Sequence, residues 1–218
     1  MDDPILAVLS PLQLLRTDPA TFVILAIALV EAIALHEFAH ALAADLQGDR
    51  LPRAMGRLTL NPVAHLDPVG TILLILGGFG WGKPVEFRPS ALASKRFGAA
   101  VVALAGPLMN LLLALISAVA LVALLKAGDA SSLAFRFLSA FMTINVVLAV
   151  FNLLPLPPLD GSKLLTIFLP PNRQHILYFL DRYGFIILLI LVLVGGFAFL
   201  NPIITWVQDL VLSVAGLR

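Results

Sequence analysis

The sequence predicts an all-α integral membrane protein: a polytopic helical bundle of about five to six membrane segments with a re-entrant, glycine-rich hairpin. Two observations carry this. The 218 residues are 60% hydrophobic and only 12% charged, with a mean hydropathy of +1.01, whereas soluble domains are nearer half apolar and a quarter charged. The apolar residues are also gathered into long runs, separated by polar stretches rich in proline and glycine. No polar stretch is long enough to hold an added soluble domain. Residues 1–218 therefore read as a single membrane-embedded domain, with a core over about 19–170 and C-terminal helices over about 174–217. A net charge of +1 gives no reason to expect a nucleic-acid partner, so the partner surface is the lipid bilayer. The chain has no cysteine, which leaves histidine, aspartate and glutamate as metal ligands.

The N-terminus, MDDPILAVLS, carries Asp2 and Asp3 where a secretory signal has Lys or Arg. It is expected to be retained as a short interfacial segment ending near Arg16. Residues 19–46 form the first membrane helix, with Asp18 as N-cap, Pro19 in the first turn and Gly48 as the stop. Residues 48–68 are polar and broken by proline, a loop with strand-like character around RLTL. The next stretch, VGTILLILGGFGWG at 69–82, is apolar but shorter than the about 20 residues a span requires. Gly77, Gly78, Gly80 and Gly82 favour a turn there, so it reads as a re-entrant hairpin running on into KPVEFRP. Residues 95–126 and 132–156 span the membrane and are joined by AGDASS; the second span ends in FNLLPLPPLDG. A polar, amphipathic stretch at 160–176 is followed by a span at 176–199, a turn at Asn201–Pro202 and a shorter crossing at 203–217.

Charge sets the orientation. Arg50, Arg53, Arg57, Lys83, Arg88, Lys95 and Arg96 lie between the first helix and the next full crossing, and Lys163, Arg173 and Arg182 follow the 132–156 helix. The positive-inside rule places both groups in the cytoplasm, which works only if 69–82 enters and leaves on one side. Trp81 and Trp206 suit membrane-interface anchors.

The chemistry concentrates in LHEFAH at 35–40. Residues four apart share a helix face, so His36 and His40 can point at one ion. Neutral imidazoles suit zinc, a catalytic zinc keeps three protein ligands and an open position, and Glu37 stands where it can take a proton from water. The competing reading is a plain interhelical polar cluster. Candidates for the third ligand are Glu31, Asp45, His65, Asp67, Glu86, Asp160 and His175. Topology favours Asp160: it follows a helix running in the same direction as the first and so arrives at the same membrane face. The prolines before it stop the helix and Gly161 permits a sharp turn.

HEFAH on a first core helix together with NLLPLPPLDG at 152–161 resembles the site-2 protease family of intramembrane zinc metalloproteases. GRLTLNP at 56–62 and AGPLMN at 105–110 are also similar to stretches of that family. The resemblance covers roughly residues 20–170 and is to the minimal form, without PDZ or CBS domains. It implies one zinc ion on His36, His40 and Asp160, Glu37 as general base, and cleavage of membrane-protein substrates in or near a transmembrane segment. A multi-pass protein of a prokaryotic plasma membrane is expected, with its active site toward the cytoplasm. The hairpin at 69–90, if β-like, could hold an extended substrate by strand addition. Asn152 reads either as a ligand for the substrate backbone or oxyanion, or as a hydrogen bond holding the proline-rich break. His65 reads as a gate or a support behind the ligands, or as a partner of Asp67 for a second ion, against a plain turn residue. Asn110 and Asn145 read as hydrogen-bonding glue between helices, and Gly106 and Pro107 as close packing or a kink. Glu31 reads as a polar contact facing the bundle and His175 as interfacial.

Two other function classes compete. A zinc or proton transporter would carry ions through buried His, Glu and Asp, but no internal repeat is visible in the sequence. A scaffold that holds a membrane partner without cutting it gives no reason for Glu37.

Overall fold

The computed structural model describes residues 11–77, 80–168 and 174–217. Among these residues every regular element is helical: α1 (Pro11–Thr17), α2 (Pro19–Leu46), α3 (Leu51–Ala54), α4 (Pro68–Gly77), α5 (Lys95–Lys126), α6 (Leu133–Asn152), α7 (Gly161–Phe168), α8 (Gln174–Leu193) and α9 (Asn201–Val214). Three are long and apolar enough to cross a membrane: α2, α5 from Phe97, and α6. From Tyr178 onward, α8 and α9 form a pair bent by 81°, which taken as one span makes a fourth.

Among the described residues three or four stretches are thus candidate spans; the sequence suggested about five to six membrane segments, the re-entrant one included. The stretch at 69–82 contributes only a ten-residue helix, α4. The last apolar stretch folds on itself at Gly195, whose φ of +68° is left-handed and ends α8. Asn201 and Pro202 then open α9 instead of forming the turn, because proline is preorganised for a first helical turn. The 132–156 helix stops at Asn152, just ahead of Pro155, Pro157 and Pro158. RLTL is irregular, and no β hairpin forms among the described residues. In its place a single antiparallel bridge joins Leu66 to Gly82, so the two ends of the α4 excursion lie side by side. Other boundaries follow the sequence. The Asp18 carboxylate accepts the Thr21 N–H at 3.0 Å, and Gly48 takes φ +103° after α2. Ser132 caps α6 by accepting the Phe135 N–H at 3.1 Å.

Helices α2, α5 and α6 form the core. On α2 the buried set includes Ile24, Ala28, Ala32, His36, His40 and Ala44, every fourth residue along one ridge. Most are alanine. In lipid there is no hydrophobic drive between helices, so small side chains that let backbones approach closely do the packing. Ala28 and Ala32 meet Phe141 of α6, while Ala114, Ala118 and Leu121 of α5 meet Met142, Val146 and Val150 of α6 and Ile204 and Val211 of α9.

Beyond α2 the loop is pinned by a carboxylate that is fully buried. Asp49 accepts the Arg88 backbone N–H at 2.5 Å, the Arg88 guanidinium at 2.9 Å and the Leu51 N–H at 3.1 Å. Burial pushes this carboxyl up, but these donors outweigh it and hold it below the ordinary range.

Ala32→Leu is expected to overpack the α2–α6 contact and to cost about 1–3 kcal/mol, read as a lower thermal midpoint of the detergent-solubilised protein.

Candidate active site

The two histidines of HEFAH sit one turn apart on the buried ridge of α2, with ring centroids 4.6 Å apart and planes 87° to one another. Their Nε2 atoms are 3.0 Å apart. Asp160 comes from the irregular segment between α6 and α7, and its Oδ2 stands 3.0 Å from each Nε2. The segment can double back because Gly161 lies against the carbonyls of Leu153 and Leu154, where any Cβ would collide. Among the described residues these three form the one group of histidine, aspartate and glutamate able to hold a metal ion, and all three are buried.

The other ring nitrogens fix the tautomers. His40 Nδ1–H donates to the Val102 carbonyl of α5 at 2.7 Å. His36 Nδ1–H donates to Asn110 Oδ1 at 2.6 Å; Asn110 Nδ2 donates to Asn145 Oδ1 at 2.8 Å; Asn145 Nδ2 donates to the Phe141 carbonyl at 2.8 Å. Each chain ends on a backbone carbonyl, which can only accept, so the amide orientations and the Nδ1–H tautomers follow. Both Nε2 atoms then present lone pairs to each other and to Asp160 Oδ2.

With Asp160 ionised, no protonation state of the two rings satisfies that triangle. With neutral rings, three acceptors face one another. With one imidazolium, the other lone pair still opposes the carboxylate. With two, N–H meets N–H across 3.0 Å. A cation satisfies all three contacts at once. Ligands about 2.0–2.1 Å from a tetrahedral zinc stand roughly 3.3 Å apart, so the triangle needs only to open by a few tenths of an ångström. Gly106 of α5 lines the same point: a Cβ there would lie 2.5 Å from His40 Nε2 and 2.6 Å from His36 Nε2, where the ion belongs. Two neutral imidazoles and a carboxylate are a donor set that fits zinc.

Around this centre the structure places the remaining candidates. Glu37, half-buried, accepts the Val85 N–H on Oε2 at 3.0 Å; Oε1 faces bare backbone at Gly82. Asp160 Oδ1 lies 3.4 Å from Lys163 Nζ, which also sits 5.4 Å over the Phe87 ring. Asn152 donates to the Leu148 carbonyl of its own helix at 3.0 Å. His65 is fully buried; its Nε2 lies 2.9 Å from the Thr59 carbonyl, and it does not join the metal group. Asp67 accepts the Gly70 N–H at the start of α4, and Asp45 is ion-paired with Arg53 at 2.7 Å. Glu86 and His175 are exposed. Strand addition at 83–85 has no free edge, because the Lys83 N–H, the Lys83 and Pro84 carbonyls and the Val85 N–H are all engaged within the chain.

AGPLMN at 105–110 serves the site more directly than helix glue would. Gly106 clears the space, Asn110 holds His36, and Pro107 breaks the α5 ladder. It has no N–H for the Ala103 carbonyl and crowds that turn, beside which the Val102 carbonyl is available to His40. The signal in the sequence was the four-residue spacing of Gly106 and Asn110, one face of a helix antiparallel to α2.

The geometry is that of a zinc hydrolase buried among membrane-spanning helices, and comparison with known proteins gives the same class. Residues 24–133 and 121–194 match the profile of peptidase family M50, and the chain belongs to this family, which is the site-2 protease family. The "Putative zinc metalloprotease YwhC" of Bacillus subtilis is 41% identical over 172 residues, covering 77% of this chain and 78% of that protein. The "Putative zinc metalloprotease Rip2" of Mycolicibacterium smegmatis is 34% identical over 170 residues, 74% of this chain and 63% of that protein. Its namesake in Mycobacterium tuberculosis strain H37Rv is 32% identical over 188 residues, 82% of this chain and 70% of that protein. No solved structure matches. The chain is an integral membrane zinc metalloprotease.

Gly106→Ala is expected to abolish zinc retention while leaving the helical content unchanged, measured by mass-spectrometric metal analysis beside circular dichroism. Asn145→Ala should weaken zinc about 10–100-fold by releasing the Asn110–His36 chain, read in a competition titration with a chelator.

Proposed function

We propose that the protein is an intramembrane protease that cleaves peptide bonds in or near transmembrane segments of membrane-protein substrates. Zinc is held by His36, His40 and Asp160, and Glu37 is the general base. The observation that carries this reading is the convergence of two imidazole lone pairs and one carboxylate oxygen within 3.0 Å of one another. Zinc bound there supplies Lewis acidity, acidifying water and polarising a carbonyl oxygen.

The chain's own residues do the rest. His36 and His40 are held in the Nδ1–H tautomer by the acceptors behind them, which leaves each Nε2 to serve as a ligand. The Val85 N–H fixes one carboxylate oxygen of Glu37 and leaves the other to accept the proton of the attacking water, which it then returns to the leaving amine. Substrate must present an extended backbone, since a helical amide is shielded and already hydrogen-bonded. Asn152, at the end of α6, is the group we assign to the substrate backbone or the oxyanion. Burial of all three ligands excludes bulk water, so the positioned water and the base act in a low-dielectric site.

The charge pattern supports an active site toward the cytoplasm. Arg50, Arg53, Lys83 and Arg88 lie on the segments that follow α2, near the end at which the HEFAH motif sits. The Leu66–Gly82 bridge supports a re-entrant path for the segment between them. The relatives named above support a bacterial plasma membrane.

Glu37→Gln is expected to retain near-stoichiometric zinc while cleavage of a model single-span substrate falls by about 10²–10⁴-fold. Asp160→Ala should lose the metal, and chelation of wild type should abolish a cleavage that added zinc restores. Zinc-free wild type, or full cleavage by Glu37→Gln, would overturn the reading.

A further inference from the structure

The motif GRLTLNP contains a buried cation that the zinc chemistry does not use. Arg57 is 3% exposed, and among the described residues its guanidinium meets no carboxylate. It donates instead to backbone carbonyls on two separate segments: Nη1 to Ala64, and Nη2 to Lys83 at 2.8 Å and to Pro84 at 3.0 Å. The same two segments are joined by the Lys83 N–H donating to the His65 carbonyl at 2.8 Å and by the Leu66–Gly82 bridge. The residue after Pro84 is Val85, whose N–H holds Glu37 at 3.0 Å. Further along, Asp49 anchors Arg88. Residues 82–88 are therefore fixed at both ends, with their central amide aimed at Glu37.

Burying a guanidinium is costly, and carbonyl partners compensate it less fully than a carboxylate would. A planar fork of five donors can nevertheless bridge two loops in one geometry, which a lysine ammonium on a flexible stem cannot. We propose that Arg57 is a positioning residue for the proteolytic reaction. It locks the 64–66 and 82–85 segments together so that the Val85 amide sets the orientation of the Glu37 carboxylate. The proposal rests on the reading of Glu37 as general base, and it places control of that base in a loop that supplies none of the proposed zinc ligands.

The test uses the full chain in detergent with a model single-span substrate. Arg57→Gln, Arg57→Lys and Glu37→Gln are compared for zinc content, kcat, KM and hydrogen–deuterium exchange over residues 80–88. Arg57→Gln is expected to keep near-stoichiometric zinc and a KM within about twofold of wild type, while kcat falls about 10–100-fold and exchange over 80–88 accelerates. Arg57→Lys should recover part of the kcat. Wild-type kcat in Arg57→Gln with Glu37→Gln inactive overturns the positioning role alone. Full cleavage by Glu37→Gln overturns the general-base reading beneath it. Loss of zinc in both Arg57 variants would also overturn the proposal, since the residue would then be supporting the fold or the metal. Should Arg57→Gln fail to fold, Arg57→Lys decides: wild-type kcat there is the overturning result.

Discussion

Everything in this molecule is arranged around a contact that is repulsive by itself. Two imidazole nitrogens and an ionised carboxylate oxygen are pressed to 3.0 Å, and no protonation of the rings reconciles them. That repulsion is imposed from behind, by the Val102 carbonyl on one ring and by the Asn110–Asn145–Phe141 chain on the other. Were either Nδ1 acceptor absent, a ring could change tautomer, donate to Asp160 and settle into an ordinary buried hydrogen bond. The acceptors prevent this, and so turn a polar cluster into a site whose need for a cation is built in.

The same network explains why a membrane bundle tolerates so many polar groups at its centre. Asn110 and Asn145 are both fully buried, and the nitrogen and oxygen of each side-chain amide have a hydrogen-bond partner. The alanine ridge of α2 matters for the same reason. Hydrogen bonds of 2.6–2.8 Å between helices require backbones to come close, and Ala28 and Ala32 permit that approach where leucine would hold the helices apart. Packing and chemistry are one requirement here. The residues that bring the helices together also set the ligand geometry.

Much of this was legible in the sequence. The HExxH spacing, the proline-broken LPLPPLDG and the direction of the helices sufficed to bring Asp160 to His36 and His40, because helical periodicity and span counting are strong local signals. The long helices were legible from hydropathy, and their ends at Asp18 and Gly48 from cap chemistry. What escaped was set by partners in space. Asn110 and Asn145 read as interhelical glue, as their mutual hydrogen bond bears out, but a lone asparagine in an apolar helix does not say that the chain runs on to His36. Arg57 read as one more cytoplasmic charge, since nothing local shows that its side chain turns inward to carbonyls 26 and 27 residues away. The number of membrane segments was less legible, because an apolar stretch reads alike whether it runs straight or is bent, as α8 and α9 are by 81°.

The distance along the chain between the proposed ligands has a consequence for biogenesis. Asp160 is 124 residues from His36 and 120 from His40. A growing chain inserts α2, with both histidines and Glu37, well before its other half exists. The Nδ1 acceptors come next with α5, Asn145 with α6, and the carboxylate last. The groups that set the tautomers are thus translated before Asp160, the proposed third ligand, and the pocket can close only once all three helices are in the correct antiparallel register. A slip of one residue in any of them would turn its polar group about 100° around the helix axis and leave the pocket unformed. Acquisition of the ion is therefore a late event that follows insertion, and a nascent or misthreaded chain carries no competent hydrolase into the membrane.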